Sequence, residues 1–581
     1  MNLFANVHGL VLEALESLQS TRALPEGLDF KNVTVEAPRD SSHGDMSTNA
    51  AMILAKQAKM RPREIADLLL KKLESNTQIE HIEVAGPGFL NLTLSKNIWL
   101  KAIPQIVKLN KEFGRSSIGK EKRVNVEFVS ANPTGPIHVG HTRGAVFGDA
   151  LANLLGFAGY NVTREYYIND GGAQIDILAR SVYLRYLEAN GIAVEFIEGT
   201  YPGEYLIPVG ESLKEGFGDV FVEADEAEWL PKFRAHAVRS MMELIESDLL
   251  SLGIKMDVFY SEKSLYGTGR IETALEELSS KGLIYEGYLD PPKGKLPEDW
   301  EPRKQTLFRS SEYGDDVDRP IKKSDGQWTY FAPDIAYHYD KISRKFDHLI
   351  NIFGADHGGY VKRMKAAVRA LSNDDITLDI KLTQLVRLYK NGEPFKMSKR
   401  AGNFISLRDL VEQVGSDVTR FVMLTRKNDA PLDFDFDKVL EQSRDNPVFY
   451  VQYAYARINS VLKKARVANI NVCDSSLISA DMQGVEHESE VYIIKKVCEW
   501  PRLVELAAKH NEPHRVAFYL YELASEFHAF WSKGKDTPSL RFVHEDNVMR
   551  SLSKLAIARS VAIVISNGLG ILGVQPMDEM R

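Results

Sequence analysis

Residues 124–144 read as a strand, a tight turn and the opening of a helix, and this order limits the fold more than any other stretch. Val124, Val126, Phe128 and Val129 favour an extended, buried strand. Asn132 to Pro136 holds two prolines and a glycine, which break the strand and turn the chain. From His138 through Arg143 to Leu154 the apolar spacing is helical. A helix that starts at the carboxyl end of a strand points unsatisfied backbone N–H groups and a positive dipole end at its ligand. Gly140 removes a side chain, so a flat or bulky ligand can approach the backbone, and His138 and His141 offer donors to phosphate oxygens. The stretch suits a nucleoside triphosphate.

His138-Val139-Gly140-His141 resembles the His-x-Gly-His motif of class I aminoacyl-tRNA synthetases. Far downstream, Lys396-Met397-Ser398-Lys399-Arg400 resembles their Lys-Met-Ser-Lys-Ser motif, with Arg400 in place of the second serine. Either alone is a short pattern; both together, in this order, are specific. Val-Glu-Phe-Val-Ser-Ala-Asn-Pro-Thr-Gly-Pro at 126–136 and Arg-Ala-Gly-Asn at 400–403 resemble the arginyl branch of the class, bacterial type, nearly end to end.

Composition bounds the rest. A chain of 581 residues has room for about three or four domains. Two cysteines, Cys473 and Cys498, make neither a disulfide framework nor a Cys-x-x-Cys metal site, which fits a reducing, cytoplasmic setting. No apolar run reaches about 18 residues and no signal-like leader opens the chain, so neither export nor a membrane is expected. The net charge is −8. Basic and acidic residues balance at 12 each in 1–110 and 17 each in 441–581, so the acidic excess, 51 against 43, falls between them. Neutral flanks suit recognition of one RNA by shape and base contacts rather than indiscriminate binding.

Taken in order, the chain divides into residues 1–112, 113–440 and 441–581. In the first, Leu10–Leu18 and Ile65–Leu73 have helical spacing, while Val33, Val35 and Phe89–Leu94 read as strands. Gly44–Asn49 and Val84–Leu90 resemble the family's N-terminal α+β domain, which touches the tRNA elbow; by themselves they are a capping turn and a hairpin. In the second, the strand Val162–Ile168 leads into Asn169-Asp170-Gly171-Gly172, where the family usually has Asn-Asp-Ala-Gly; Asp170 is either a helix cap or a site residue. Residues from about 190 to 320 read as an insertion, polar and broken, with a helix over Phe233–Leu249. It is too short for an editing domain as well. Beyond it come strands at His348–Phe353 and near Thr383–Leu388. The third part turns helical from about 441, with Tyr450–Ile458 as its first amphipathic face. Tyr450, Tyr453 and Tyr521 there either fill a core or stack on bases. The expected architecture is α/β: a Rossmann-type catalytic domain split by an insertion, an N-terminal α+β domain and a C-terminal all-α anticodon-binding bundle.

The resemblance implies an arginine–tRNA ligase that uses ATP as substrate, carries Mg²⁺ on the ATP phosphates and needs no structural metal. Its partners would be tRNA-Arg, L-arginine and ATP, and it would act as a monomer. His138, His141, Lys396 and Lys399 would be catalytic. With Gly140, Asp356, His357, Met397 and Ser398 they would hold ATP. Arginine would lie against Glu127, Asn132, Tyr330 and Asp334: Glu127 and Asp334 on the guanidinium, Tyr330 adding a hydrogen bond, Asn132 on the α-amino group. From the residues alone, Glu127 is also open to an ion pair inside its apolar strand, and Asp334, after Pro333, to a capping role. Missing zinc cysteines speak against methionyl and cysteinyl enzymes. The class I lysyl enzyme, a plain nucleotidyltransferase and a non-catalytic tRNA-binding paralogue remain as rivals.

Overall fold

Val124 to Glu127 are all buried, the pattern of a strand covered on both faces. In the computed structural model, which describes residues 1–38, 40–289, 304–323, 325–395 and 405–580, that strand, β1 (Arg123–Glu127), is the centre of a five-stranded sheet. The others are β2 (Asn161–Ile168), β3 (Val258–Ser261), β4 (His348–Gly354) and β5 (Thr377–Thr383), in the order β5-β4-β1-β2-β3. Every pairing is parallel. Helix α1 (Val139–Phe157) crosses from β1 to β2, α2 (Phe331–Ser343) precedes β4, and α3 (Val361–Ser372) joins β4 to β5. Sheet growth reverses between β1 and β4. Open parallel sheets bind ligands outside the carboxyl ends of their strands at such a point.

The expected strand near Thr383–Leu388 is in fact a junction. β5 ends at Thr383, and a separate strand, Val386–Lys390, belongs to a small sheet with Leu432–Asp435 and Glu393–Pro394. Gln384 and exposed Leu385 make the break, with the Gln384 N–H donating to the Asn428 carbonyl at 2.8 Å. A continuous run of strand formers conceals this change of sheet. The region 190–320 also lends β3 to the main sheet. Around that strand lie the helices Ile207–Phe217 and Glu226–Ser251 and the antiparallel strands Ile284–Gly287, Gln305–Phe308 and Arg319–Lys322.

The N-terminal part is a four-stranded antiparallel sheet packed by Leu3–Ser20, Ala50–Ala58 and Pro62–Leu73. From Pro447–Val467 onward the chain is helical. Its last helix, α4 (Val548–Leu572), is long and apolar enough to cross a membrane, but 83% of its most apolar window is buried inside the molecule. The parts are bonded to one another. Lys495 pairs with Asp45, Asn2 donates to Glu505 at 2.8 Å, and the Trp500 indole N–H donates to the Phe113 carbonyl at 3.1 Å. At the junction Gly114 has φ +93°, and a β-carbon there would lie 2.0 Å from Trp500 Nε1. Only glycine fits.

Candidate active site

Two features meet at the carboxyl ends of β1 and β4. The first is the N-terminus of α1. His138 is its cap: its Nδ1 accepts the Gly140 N–H at 3.1 Å, which leaves the ring proton of the neutral form on Nε2. The His141 ring stacks on His138 with centroids 3.9 Å apart. Gly140 is exposed, as a site for close ligand approach requires, but its first role is local. A β-carbon there would lie 2.8 Å from His138 Cε1, so glycine lets the imidazole fold back over the helix end. The chain just after the second motif is bonded to the same place: Val139 N–H donates to the Ile405 carbonyl at 3.3 Å, and Leu407 N–H to the Ile137 carbonyl at 2.8 Å. Lys396, Met397, Ser398 and Lys399 themselves lie outside the described residues.

The second feature is a buried set of carboxylates. Across the sheet, register places Asn351, Glu127 and Glu165 side by side on β4, β1 and β2. Three adjacent polar residues inside a sheet need partners, and α2 supplies them. Lys341 Nζ donates to Glu127 Oε2 at 2.6 Å and to Asn351 Oδ1 at 3.3 Å. Arg344 grips both oxygens of Glu165, at 2.7 and 2.8 Å, and Tyr337 donates to Glu165 at 2.8 Å. The Asn351 amide donates to His338 Nε2 at 2.9 Å, so His338 Nδ1 carries the proton and donates to the Asp334 carbonyl at 2.8 Å. Burial and the nearby Lys341 push His338 down to about 3, which keeps the ring neutral.

Asp334, one turn into α2, has no such cation bonded to it among the described residues. Burial, with the charges of Glu262 and Glu127, pushes its carboxyl up to about 7 against the opposing hydrogen bond from Tyr360. Glu262, buried just after β3, is raised too, by burial and by Asp170; Tyr266 donates to it at 2.9 Å. Tyr167 lies among all three carboxylates: burial raises its hydroxyl, and Asp334, Glu262 and Glu127 raise it further. Among the described residues, Glu127, Asp334 and Glu262 thus surround one half-buried spot, with Lys341 bonded to Glu127 alone of the three. Acids raised by burial and by one another, as Asp334 and Glu262 are, suit a cation.

Family models match three segments: the "Arginyl tRNA synthetase N terminal domain" over 5–94, the "tRNA synthetases class I (R), catalytic domain" over 102–433 and the "DALR anticodon binding domain" over 451–580. The chain is 67% identical to an arginine–tRNA ligase of Ruegeria pomeroyi and 64% to one of Roseobacter denitrificans, over all of each chain. The chain belongs to the arginyl-tRNA synthetase family. Among solved structures it resembles a putative arginyl-tRNA synthetase of Campylobacter jejuni, with TM-score 0.73 and 35% identity over 84% of this chain and 100% of that one. It shares the fold of the Thermus thermophilus arginyl-tRNA synthetase, with TM-score 0.72 and 20% identity over 98% and 99%.

Against the residues expected of an arginyl-tRNA synthetase, the placements differ in kind. Glu127 and Asp334 come together. Glu127 makes the ion pair that its strand position left open, with Lys341, and still faces the cluster. Tyr330 is the N-cap residue of α2 and 90% exposed, at the rim rather than against the carboxylates. Asn132 is exposed, its amide donating to Gln174 at 3.1 Å and its oxygen accepting from Asn169 at 2.9 Å. It is carried there by a turn that holds β-branched Val129 at φ +70°, a strained conformation at the end of β1. Asp356 and His357 lie exposed on the 3₁₀ turn Ala355–Tyr360 that follows β4. Asp170 is a tie: it accepts from the Ser261 hydroxyl at 2.7 Å and the Lys263 N–H at 2.8 Å, fixing the segment that bears Glu262. Gly171 has the same purpose, since a β-carbon there would lie 2.9 Å from Tyr266 and 3.1 Å from Glu262. Sequence reading missed Glu262, Lys341 and Tyr360. Only the spacing Tyr337–Lys341, one helical turn on the face that also carries Asp334, carried a signal.

Proposed function

We propose that this chain joins L-arginine to tRNA-Arg in two steps, with the guanidinium held by the carboxylates Glu127, Asp334 and Glu262. The observation that carries the reading is that Asp334 meets Glu127 and Glu262 at one spot with no cation bonded to it among the described residues. A guanidinium, planar and permanently charged, supplies the missing charge and bidentate donors. Tyr330 swings in from the rim to add a hydrogen bond, and Asn132 holds the α-amino group. The α-carboxylate is thereby directed toward the N-terminus of α1.

There, one arginine carboxylate oxygen attacks the α-phosphorus of ATP, and the bond from that phosphorus to the bridging oxygen breaks to release pyrophosphate. The positive dipole end of α1, with His138 and His141, stabilises charge on the phosphates. Lys396 and Lys399, with Met397 and Ser398, supply charge to the departing pyrophosphate; the bonding of Ile405 and Leu407 beside His138, just after this motif, supports that role. Asp356 and His357 border the nucleoside. Mg²⁺ enters on the ATP phosphates, which supply its oxygen ligands. The 2′-hydroxyl of the tRNA's terminal ribose then attacks the arginyl carbonyl carbon and AMP leaves. Residues 1–112 take the tRNA elbow, 113–440 the chemistry and 441–581 the anticodon. The enzyme is a monomer of the cytoplasm, and activation follows tRNA binding.

ATP–pyrophosphate exchange with arginine and, separately, lysine, each with and without total tRNA, tests this. Exchange with arginine and tRNA only is the expected result. Arginine-driven exchange without tRNA removes the order of binding; exchange with lysine, or none, removes the assignment.

A further inference from the structure

Tyr360 ends the turn that follows β4, and its hydroxyl donates to Asp334 Oδ2. Among the described residues no hydrogen bond reaches the other carboxylate oxygen of Asp334. Its carboxylate is faced from every side. From its own helix come Tyr330, at the rim, and His338, which donates to its backbone carbonyl; from β1 comes Glu127; from β2, Tyr167; from the segment after β3, Glu262 and Tyr266; from α3, Arg363. Of these groups, Tyr360 alone is hydrogen-bonded to the carboxylate. Arg363 contributes charge and lies over the Tyr360 ring, 4.9 Å from its centroid, while Phe331 meets the ring edge-on at 6.1 Å. The ring is therefore fixed by packing before any ligand arrives, and the hydroxyl with it. Glu262 repeats the design, with one oxygen held by Tyr266 at 2.9 Å.

Building on the arginine pocket proposed above, we infer that Tyr360 is a positioning residue for arginine specificity: it holds one oxygen of Asp334 so that the other is presented to the guanidinium. It stands on the same short turn as Asp356 and His357, so the amino-acid carboxylate is tied directly to the segment that borders the nucleotide. The hydroxyl also favours the ionised carboxylate, because it can donate to a charged oxygen but cannot neutralise it.

The variant Tyr360→Phe keeps the ring, with its Phe331 and Arg363 contacts, and removes one O–H. The test is steady-state ATP–pyrophosphate exchange with saturating tRNA, varying arginine and ATP in turn from pH 5.5 to 8.5. We expect the KM for arginine to rise about tenfold, from loss of a hydrogen bond to a charged group, while the KM for ATP changes less than about twofold. The acid limb of kcat/KM for arginine moves to higher pH, since the ionised carboxylate has lost a donor. An unchanged arginine KM with an unchanged acid limb overturns the inference, as does an equal rise in both KM values, which marks a merely structural residue. A wild-type enzyme that exchanges with lysine rather than arginine, or not at all, overturns the pocket assignment itself and this inference with it.

Discussion

The two halves of the site handle charge in opposite ways. On the proposed function, the groups offered to ATP at the start of α1 are the helix dipole, two stacked imidazoles and the lysines of the second motif. At the proposed arginine pocket they are carboxylates, Glu127 paired with Lys341 and Asp334 and Glu262 each held by a tyrosine hydroxyl. A polyphosphate is large, solvated and changes its charge distribution during reaction, so mobile cations suit it. A guanidinium keeps its charge throughout, so a fixed, desolvated partner suits it better. On the proposed function, recognition of the amino acid is built into the sheet and the elements packed on it, while stabilisation of the leaving group falls to the second motif.

This contrast can be broken most severely at Asp334. Asp334→Asn leaves a buried cation without its partner, and kcat/KM for arginine in the exchange assay falls by about 3–5 kcal/mol, two to four orders of magnitude; an ATP KM that rises equally sinks the separation of the two halves. Lys399→Ala removes a transition-state contact, so kcat falls about a hundred- to thousandfold, roughly 3–4 kcal/mol, while arginine binding measured by calorimetry hardly moves. Gly140→Ala forces the His138 ring off the helix end, costing about 1–2 kcal/mol by the scale for overpacking; the ATP KM rises and the arginine KM stays. The mildest probe is pH. Asp334, raised to about 7, must be ionised to hold a guanidinium, so the affinity for arginine is full above pH 7 and declines as pH falls through it, by at most about tenfold per unit. An ordinary carboxylate would hold it flat to about pH 5. Calorimetric titration between pH 6 and 8 separates the two.

Much of the nucleotide half was legible because it is local. His138, Gly140 and His141 lie within one helical turn after a strand, and the helix end that they share brings them together. The arginine half was only half legible. Glu127 announces itself as an acid in an apolar strand, whereas Asp334, which after Pro333 also reads as a cap, was pointed to by the family resemblance. Glu262 does not: Ser-Glu-Lys-Ser reads as a surface turn, and its burial comes from Gly171 and Tyr266 packing across another segment. Lys341 likewise reads as a solvated helix residue until register sets Asn351, Glu127 and Glu165 side by side beneath it. The break at Gln384 escaped for a related reason, since strand propensity does not record which sheet a strand joins.

The bonds between the chain's first and last parts have a thermal consequence. One hydrophobic core holds side chains from Leu3 to Val574, and Trp500 closes over Gly114 where the N-terminal part meets the sheet. Opening any one part therefore exposes apolar faces of the others, so the three parts are expected to lose their structure together on heating. One calorimetric peak is the expected outcome, and resolved separate peaks overturn it.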